Sequence, residues 1–167
     1  MTDLISPDGL KKLEDEFHYL WRVERPKVVQ GVSDAAAEGD RSENAEYIYG
    51  KKRLREIDRK LKHLGSRLKL LKLATAPANP HMVSFGCWVS YEDEDGNERC
   101  YQLVGPDEFD VGKGRISIDS PVGQALLHKK LDDEVVIRRP NGDLTVHITD
   151  ISATRPAGAP EYPPTTR

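Results

Sequence analysis

The sequence predicts an α+β protein: an N-terminal antiparallel coiled-coil hairpin of two α-helices, followed by a small antiparallel-sheet domain with one short helix. Three observations carry that expectation. Leu54, Ile57, Leu61, Leu64, Leu68 and Leu71 recur at alternating spacings of three and four, the stripe of a helix packed along a second helix. Leu10, Leu13, Phe17 and Leu20 begin the same stripe earlier in the chain. After the segment ATAPANP the helical period gives way to short runs punctuated by Asp95-Gly96 and Asn141-Gly142, the turn signals of β-hairpins.

Taken in order, Ser6 and Pro7 supply a cap and a first helical residue for the first arm. Its stripe blurs around Trp21, Glu24 and Pro26 and resumes at Val28 and Val32. Pro26 removes a backbone donor inside the helix and should bend or open it, and Gly50 on the second arm is expected opposite, accommodating the bend. The turn between the arms falls at residues 35 to 43, and two arms of about 28 residues would each run roughly 42 Å. Residues 1 to 75 form the hairpin unit, 76 to 80 a linker, 81 to 153 the sheet domain, and 154 to 167 a Pro-rich disordered tail. In the sheet domain, a two-residue turn at Asp95-Gly96 sets Cys100 opposite Tyr91 and Cys87 opposite Val104, so the two thiols do not meet. Ser120 and Pro121 open a short helix over 121 to 128, and a second hairpin turns at Asn141-Gly142. Trp88, Tyr91 and Tyr101 are expected as core or cross-strand residues.

Composition narrows the function classes. The N-terminus lacks a basic, apolar leader and no run approaches the roughly 20 apolar residues of a membrane helix, so a cytoplasmic protein without membrane contact is expected. Two cysteines without a CxxC, and His18, His63, His81, His128 and His147 without ligand spacing, argue against a structural metal. VGKGR at 111 to 115 lacks the glycine placement and the hydroxyl residue of a phosphate loop. The net charge of -3 conceals a reversal: residues 45 to 75 hold 10 basic and 3 acidic residues, immediately after an acidic turn. Exposed cations opposite an apolar stripe are usually only a solvated face, but ten cannot be neutralised by three, and such an arm attracts phosphates.

The acidic turn, AAAEGDRSENAEY, carries Glu38, Asp40, Glu43 and Glu46. One reading is local: Asp40 caps the second helix, Glu43 completes a capping box, and Ser42, Asn44 and Glu46 are ordinary first-turn residues. The other starts from position. Hard oxygen donors at the end of a basic rod suit Mg²⁺, which keeps several waters and accepts one or two carboxylates from a protein. Two acids on one turn close no site alone, so such an ion would be shared with a partner, or the acids would position a water.

AAAEGDRSENAEY followed by KKRLREIDRKLKHL resembles the tip and second helix of the bacterial Gre transcript-cleavage factors. YLWRVERP, FGCWV and ISIDSPVGQALLHKKLDDEVVI extend the resemblance over residues 4 to 152, and the form of the tip and the basic arm are nearer to the GreB branch than to the GreA branch. The resemblance implies a monomeric elongation factor that inserts its hairpin into the secondary channel of backtracked bacterial RNA polymerase. There it stimulates cleavage of the nascent RNA 3′ end by the polymerase's own active site, an accessory role rather than an enzyme's. It further implies Asp40 and Glu43 as the catalytic pair helping to hold a Mg²⁺ completed by the polymerase, with Ser42, Asn44, Glu46 and Tyr47 shaping the tip. Lys51, Lys52, Arg53, Arg55, Arg59, Lys60 and Lys62 become candidates for touching extruded RNA or the channel wall. The sheet domain resembles the FKBP-like module that docks on the channel rim. A channel-binding regulator without cleavage, or a prolyl isomerase with a helical appendage, are the competing classes; the intact acid pair disfavours the first, and no feature marks an isomerase pocket.

Overall fold

The computed structural model describes residues 1–40 and 43–160. The chain divides into two compact units, Leu10–Leu71 on one side and Met1–Gly9 with Lys72 onward on the other. The division differs from a boundary after residue 75 because the N-terminus returns to the sheet unit: β1 (Leu4–Ile5) pairs in parallel with β2 (Lys72–Leu73), Leu4 opposite Lys72. Ile5 is completely buried there.

The helical unit consists of α1 (Pro7–Tyr19), a π-helical turn over Leu20–Glu24, α2 (Arg25–Ala37) and α3 (Ala45–Leu70). Ser6 Oγ accepts the Gly9 N–H at 3.0 Å, and Pro7 is the first helical residue. Pro26 has the effect the sequence implied, expressed as a wider turn: the Arg25 N–H bonds back to the Leu20 carbonyl, five residues earlier. A proline cannot donate and its ring crowds the carbonyl four residues before it, so widening the preceding turn relieves the conflict without ending the helix. Leu20, Ile57, Leu61 and Leu64 are buried between the arms, with Leu13, Phe17 and Val28 packed against them. Gly50 lies against Val32 rather than serving Pro26; a Cβ at Gly50 would come within 2.7 Å of Val32 Cγ2.

The sheet unit has β3 (Trp88–Asp93), β4 (Glu98–Val104), β5 (Arg115–Ser117), β6 (Glu134–Ile137), β7 (Leu144–Ser152) and one short helix, α4 (Pro121–Leu126), in the spatial strand order β5-β4-β3-β7-β6. It is antiparallel except for the β4–β5 pair, which is parallel. Val83, Val89, Leu103, Leu126, Val146 and Ile148 are among the residues of its core. Ser120 caps α4 through a 3.0 Å bond from the Gly123 N–H, with Pro121 next.

Both hairpin registers depart from the sequence expectation. Cys100 pairs with Ser90, not Tyr91, because the loop holds three residues: Asp93 and Asn97 close it, and Gly96 takes a left-handed φ of 79°. That is a type I turn followed by a left-handed residue. The second turn is centred on Pro140-Asn141, with the Gly142 N–H bonded to the Arg139 carbonyl at 3.1 Å. Proline fits the second position of such a turn, which moves it one residue earlier. Both cysteines are free and buried. The Tyr91 and Tyr101 rings lie 6.2 Å apart between centroids, tilted by 38°. The expected tail also begins too early: the Arg155 guanidinium lies 5.8 Å over the Trp88 ring, while residues 161 to 167 lie outside the described set.

Candidate functional site: an acidic turn and a basic helix face

α2 ends at Ala37, and Gly39, with φ of 129°, redirects the chain toward the turn. Asn44 is the N-cap of α3, which corrects the capping box centred on Asp40. Its Oδ1 accepts the Tyr47 N–H at 3.1 Å, while its Nδ2 donates to the Ala35 carbonyl at 2.8 Å. An amide both donates and accepts, so one side chain satisfies an orphan donor of α3 and a terminal carbonyl of α2; an ionised aspartate only accepts. The turn is thereby tied across both helices by Asn44.

Capping of α3 therefore does not account for the acids. Asp40 and Glu43 are exposed in the connecting segment, Glu38 follows the last residue of α2, and exposed Glu46 lies in the first turn of α3, where the helix dipole favours it. Tyr47 is half-buried beneath the cap, and Ser42 lies outside the described residues. Among the described residues no group of three or more His, Cys, Asp or Glu side chains is disposed to hold a metal ion. Asp40 and Glu43 are two exposed carboxylates, hard oxygen donors of the kind Mg²⁺ accepts, and two such groups do not close a metal site by themselves.

The basic arm separates into two sets. Arg53 donates to Glu24 across the hairpin, its Nε at 2.9 Å, and also approaches Glu56 at 3.4 Å. Lys60 pairs with Glu16 at 2.5 Å, and Asp58 of the same helix takes Arg25 at 2.7 Å. The hydrogen-bonded pairs with Asp58 and Glu24 hold the Arg25 and Arg53 guanidinium groups even more firmly charged than usual. Lys51, Lys52, Arg55, Arg59 and Lys62 remain exposed and make no ion pair with a described residue. At about 100° per residue these five fall within roughly 100° of α3, on the side away from its leucine stripe. Sequence counting reached the excess of charge, but the partition depends on which acids the first arm places opposite. Glu16, Glu24 and Arg25 become site-relevant only through that pairing.

On this arrangement the helical unit can present carboxylates at one extremity and a continuous cationic face behind them. No helix is long and apolar enough to cross a membrane among the described residues. Residues 3–73 match the family model described as the N-terminal domain of transcription elongation factors, and residues 78–153 match the C-terminal model of transcription elongation factor GreA/GreB. Transcription elongation factor GreB of Yersinia pestis is 55% identical over 90% of this chain and 88% of its own length. That of Pseudomonas aeruginosa is 52% identical over 98% of this chain and 92% of its own. The solved GreA factor homolog 1 of Thermus thermophilus is 19% identical, with a TM-score of 0.42 over 90% of this chain and 99% of that one, a likeness too weak to extend the comparison. Matched by family models across both of its units and by GreB relatives along nearly all its length, the chain belongs to the GreA/GreB family of transcription elongation factors, on its GreB side.

Proposed function

We propose that this elongation factor inserts its helical hairpin into the secondary channel of a backtracked bacterial RNA polymerase and stimulates endonucleolytic cleavage of the nascent RNA 3′ end. The polymerase's active site performs the reaction, and this chain is an accessory to it. The observation that carries the reading is the capping of α3 by Asn44, so that the exposed acids of the turn are not required as its caps. Asp40 and Glu43 would be the residues that hold a magnesium ion completed by polymerase groups. A metal so placed supplies charge stabilisation and an acidified water in phosphodiester hydrolysis. The chain's own part is to present the two carboxylates, keep their direction through Asn44, and orient a water for in-line attack. The sheet unit, in this reading, docks on the channel rim, and the five cations outside the ion pairs face the extruded RNA phosphates.

The decisive experiment stalls RNA polymerase in a backtracked state and adds the protein with Mg²⁺. Release of 3′-terminal RNA fragments is expected, lost in Asp40→Asn and in Glu43→Gln, while both variants still compete with the parent protein for the polymerase. Cleavage that survives both substitutions would reject the acid pair; competition without any cleavage by the parent would make the protein a channel-binding regulator.

A further inference from the structure

Beside the cationic face, the helical unit holds an open groove of about 600 Å³ between α2 and α3. Tyr19, Val23, Gly31, Val32, Tyr49 and Gly50 line it, together with Lys27, Glu46 and the Glu24–Arg53 ion pair. The two glycines play different parts: Gly31 leaves room, and Gly50 permits close approach of the helices. A Cβ at Gly31 would meet nothing within 4 Å, and Gly50 brings the backbone of α3 close to Val32. Tyr19 and Tyr49 remain 55% and 71% exposed. Tyr49 precedes Lys52 by one helical turn, so its ring stands between the groove and the cationic face.

We propose that this groove receives an unstacked base of single-stranded RNA, with Tyr49 as the stacking surface and Tyr19 as the opposite wall. The inference deepens the reading above by naming the part of the RNA that the hairpin holds. Exposed aromatic rings interleaved with cations form the usual platform for single strands: the cations follow the phosphates, and the rings take bases irrespective of sequence. The adjoining face supplies the charge complementarity, for Lys51, Lys52, Arg55, Arg59 and Lys62 lie exposed on the helix that carries Tyr49. Lys27 adds a cation on the groove's other side. The volume falls in the range of small-ligand sites, and the open mouth suits one base of a continuing strand better than an enclosed metabolite.

The test titrates the full chain with a short oligoadenylate and with an abasic oligomer of the same length. Tighter binding of the oligoadenylate is expected, with Tyr49→Ala weakening it about tenfold, Tyr49→Phe keeping it, and abasic binding unchanged by either. Gly31→Leu provides a second variant that has room to fold: it should occupy the groove and remove the same preference with melting temperature equal to or above the parent's. Neutralising Lys51 and Arg55 should instead weaken both oligomers together. Equal binding of the two oligomers by the parent would overturn the proposal. So would loss of polymerase affinity in Tyr49→Ala with oligoadenylate binding intact, which would assign the groove to a protein side chain. Asp40→Asn should leave both oligomer affinities unchanged, so failure of the acidic turn in cleavage and failure of the groove in base binding are separate results.

Discussion

Asn44 decides more at the acidic turn than its size implies. It accepts from Tyr47 and donates to Ala35, so removing its amide strands a donor on one helix and an acceptor on the other. Asn44→Ala should cost about 1–2 kcal/mol, read by thermal or denaturant unfolding, and should reduce cleavage more than polymerase binding. Asn44→Asp should recover only the cap, because a carboxylate accepts from Tyr47 but sets an anionic oxygen against the Ala35 carbonyl in place of a donor. Asp93 in the sheet unit shows what a carboxylate does when it does serve a turn. It accepts from the Asn97 N–H and from the Asp95 N–H, both at 2.9 Å, and from Asn97 Nδ2 at 3.0 Å. These bonds, those from Asn97 first, hold its carboxyl below the ordinary aspartate range. With its folded pKa below the unfolded one, its contribution is present above the unfolded value and is lost as pH falls through the lowered value. Asp93→Asn should therefore flatten part of the acid limb in a stability-against-pH curve.

Among the elements, the two arms meet through close backbone approach as well as through their leucines. Gly50→Leu would drive a Cβ toward Val32 Cγ2, and a β-branched neighbour has little rotamer freedom to yield. The expected result is a loss of about 1–3 kcal/mol from overpacking, reduced by up to about 1 kcal/mol because a helical glycine is removed; a melt showing no loss would contradict that close approach. The π-helical turn before Pro26 shows how a residue that interrupts the period can stay within a continuous arm. Periodicity located both helices and their apolar faces from Leu10 to Leu71, since the burial of a stripe is written directly into its spacing. The same reasoning placed the cap of α3 four residues early, because Asp40 and Asn44 are both good caps in isolation. The hairpin registers were missed for a related reason: Asp95-Gly96 and Asn141-Gly142 mark turns, but loop length is decided by what Asp93 and Pro140 bond or constrain.

For the whole molecule, the division of the cations makes a measurable distinction. Replacing Lys51, Arg55, Arg59 and Lys62 with Gln should lower the salt dependence of RNA binding, by about 0.7 in logarithmic slope for each phosphate no longer neutralised, with little change in stability. Replacing Arg53 and Lys60 should do the reverse, lowering the melting temperature of the hairpin slightly, as solvent-screened pairs do, while leaving the slope nearly unchanged. In the sheet unit, burial pushes the Cys100 thiol above its ordinary value of 9.0. The unfolded chain then loses that proton first, so stability should fall as pH rises above about 9.0, and Cys100→Ala should soften the alkaline decline. The sequence by itself determined the two helical arms, the sheet-forming half, the acidic turn and the excess of positive charge, because spacing and charge are properties of the chain. Only the tertiary structure decided that Asn44 rather than Asp40 caps α3, that Arg53 and Lys60 are held by acids of the first arm, and that Tyr19 and Tyr49 flank one groove. The ion pairs and the groove depend on partners 29 to 44 residues away, and the choice of Asn44 on its second bond to Ala35, nine residues back, relations that local pattern does not encode.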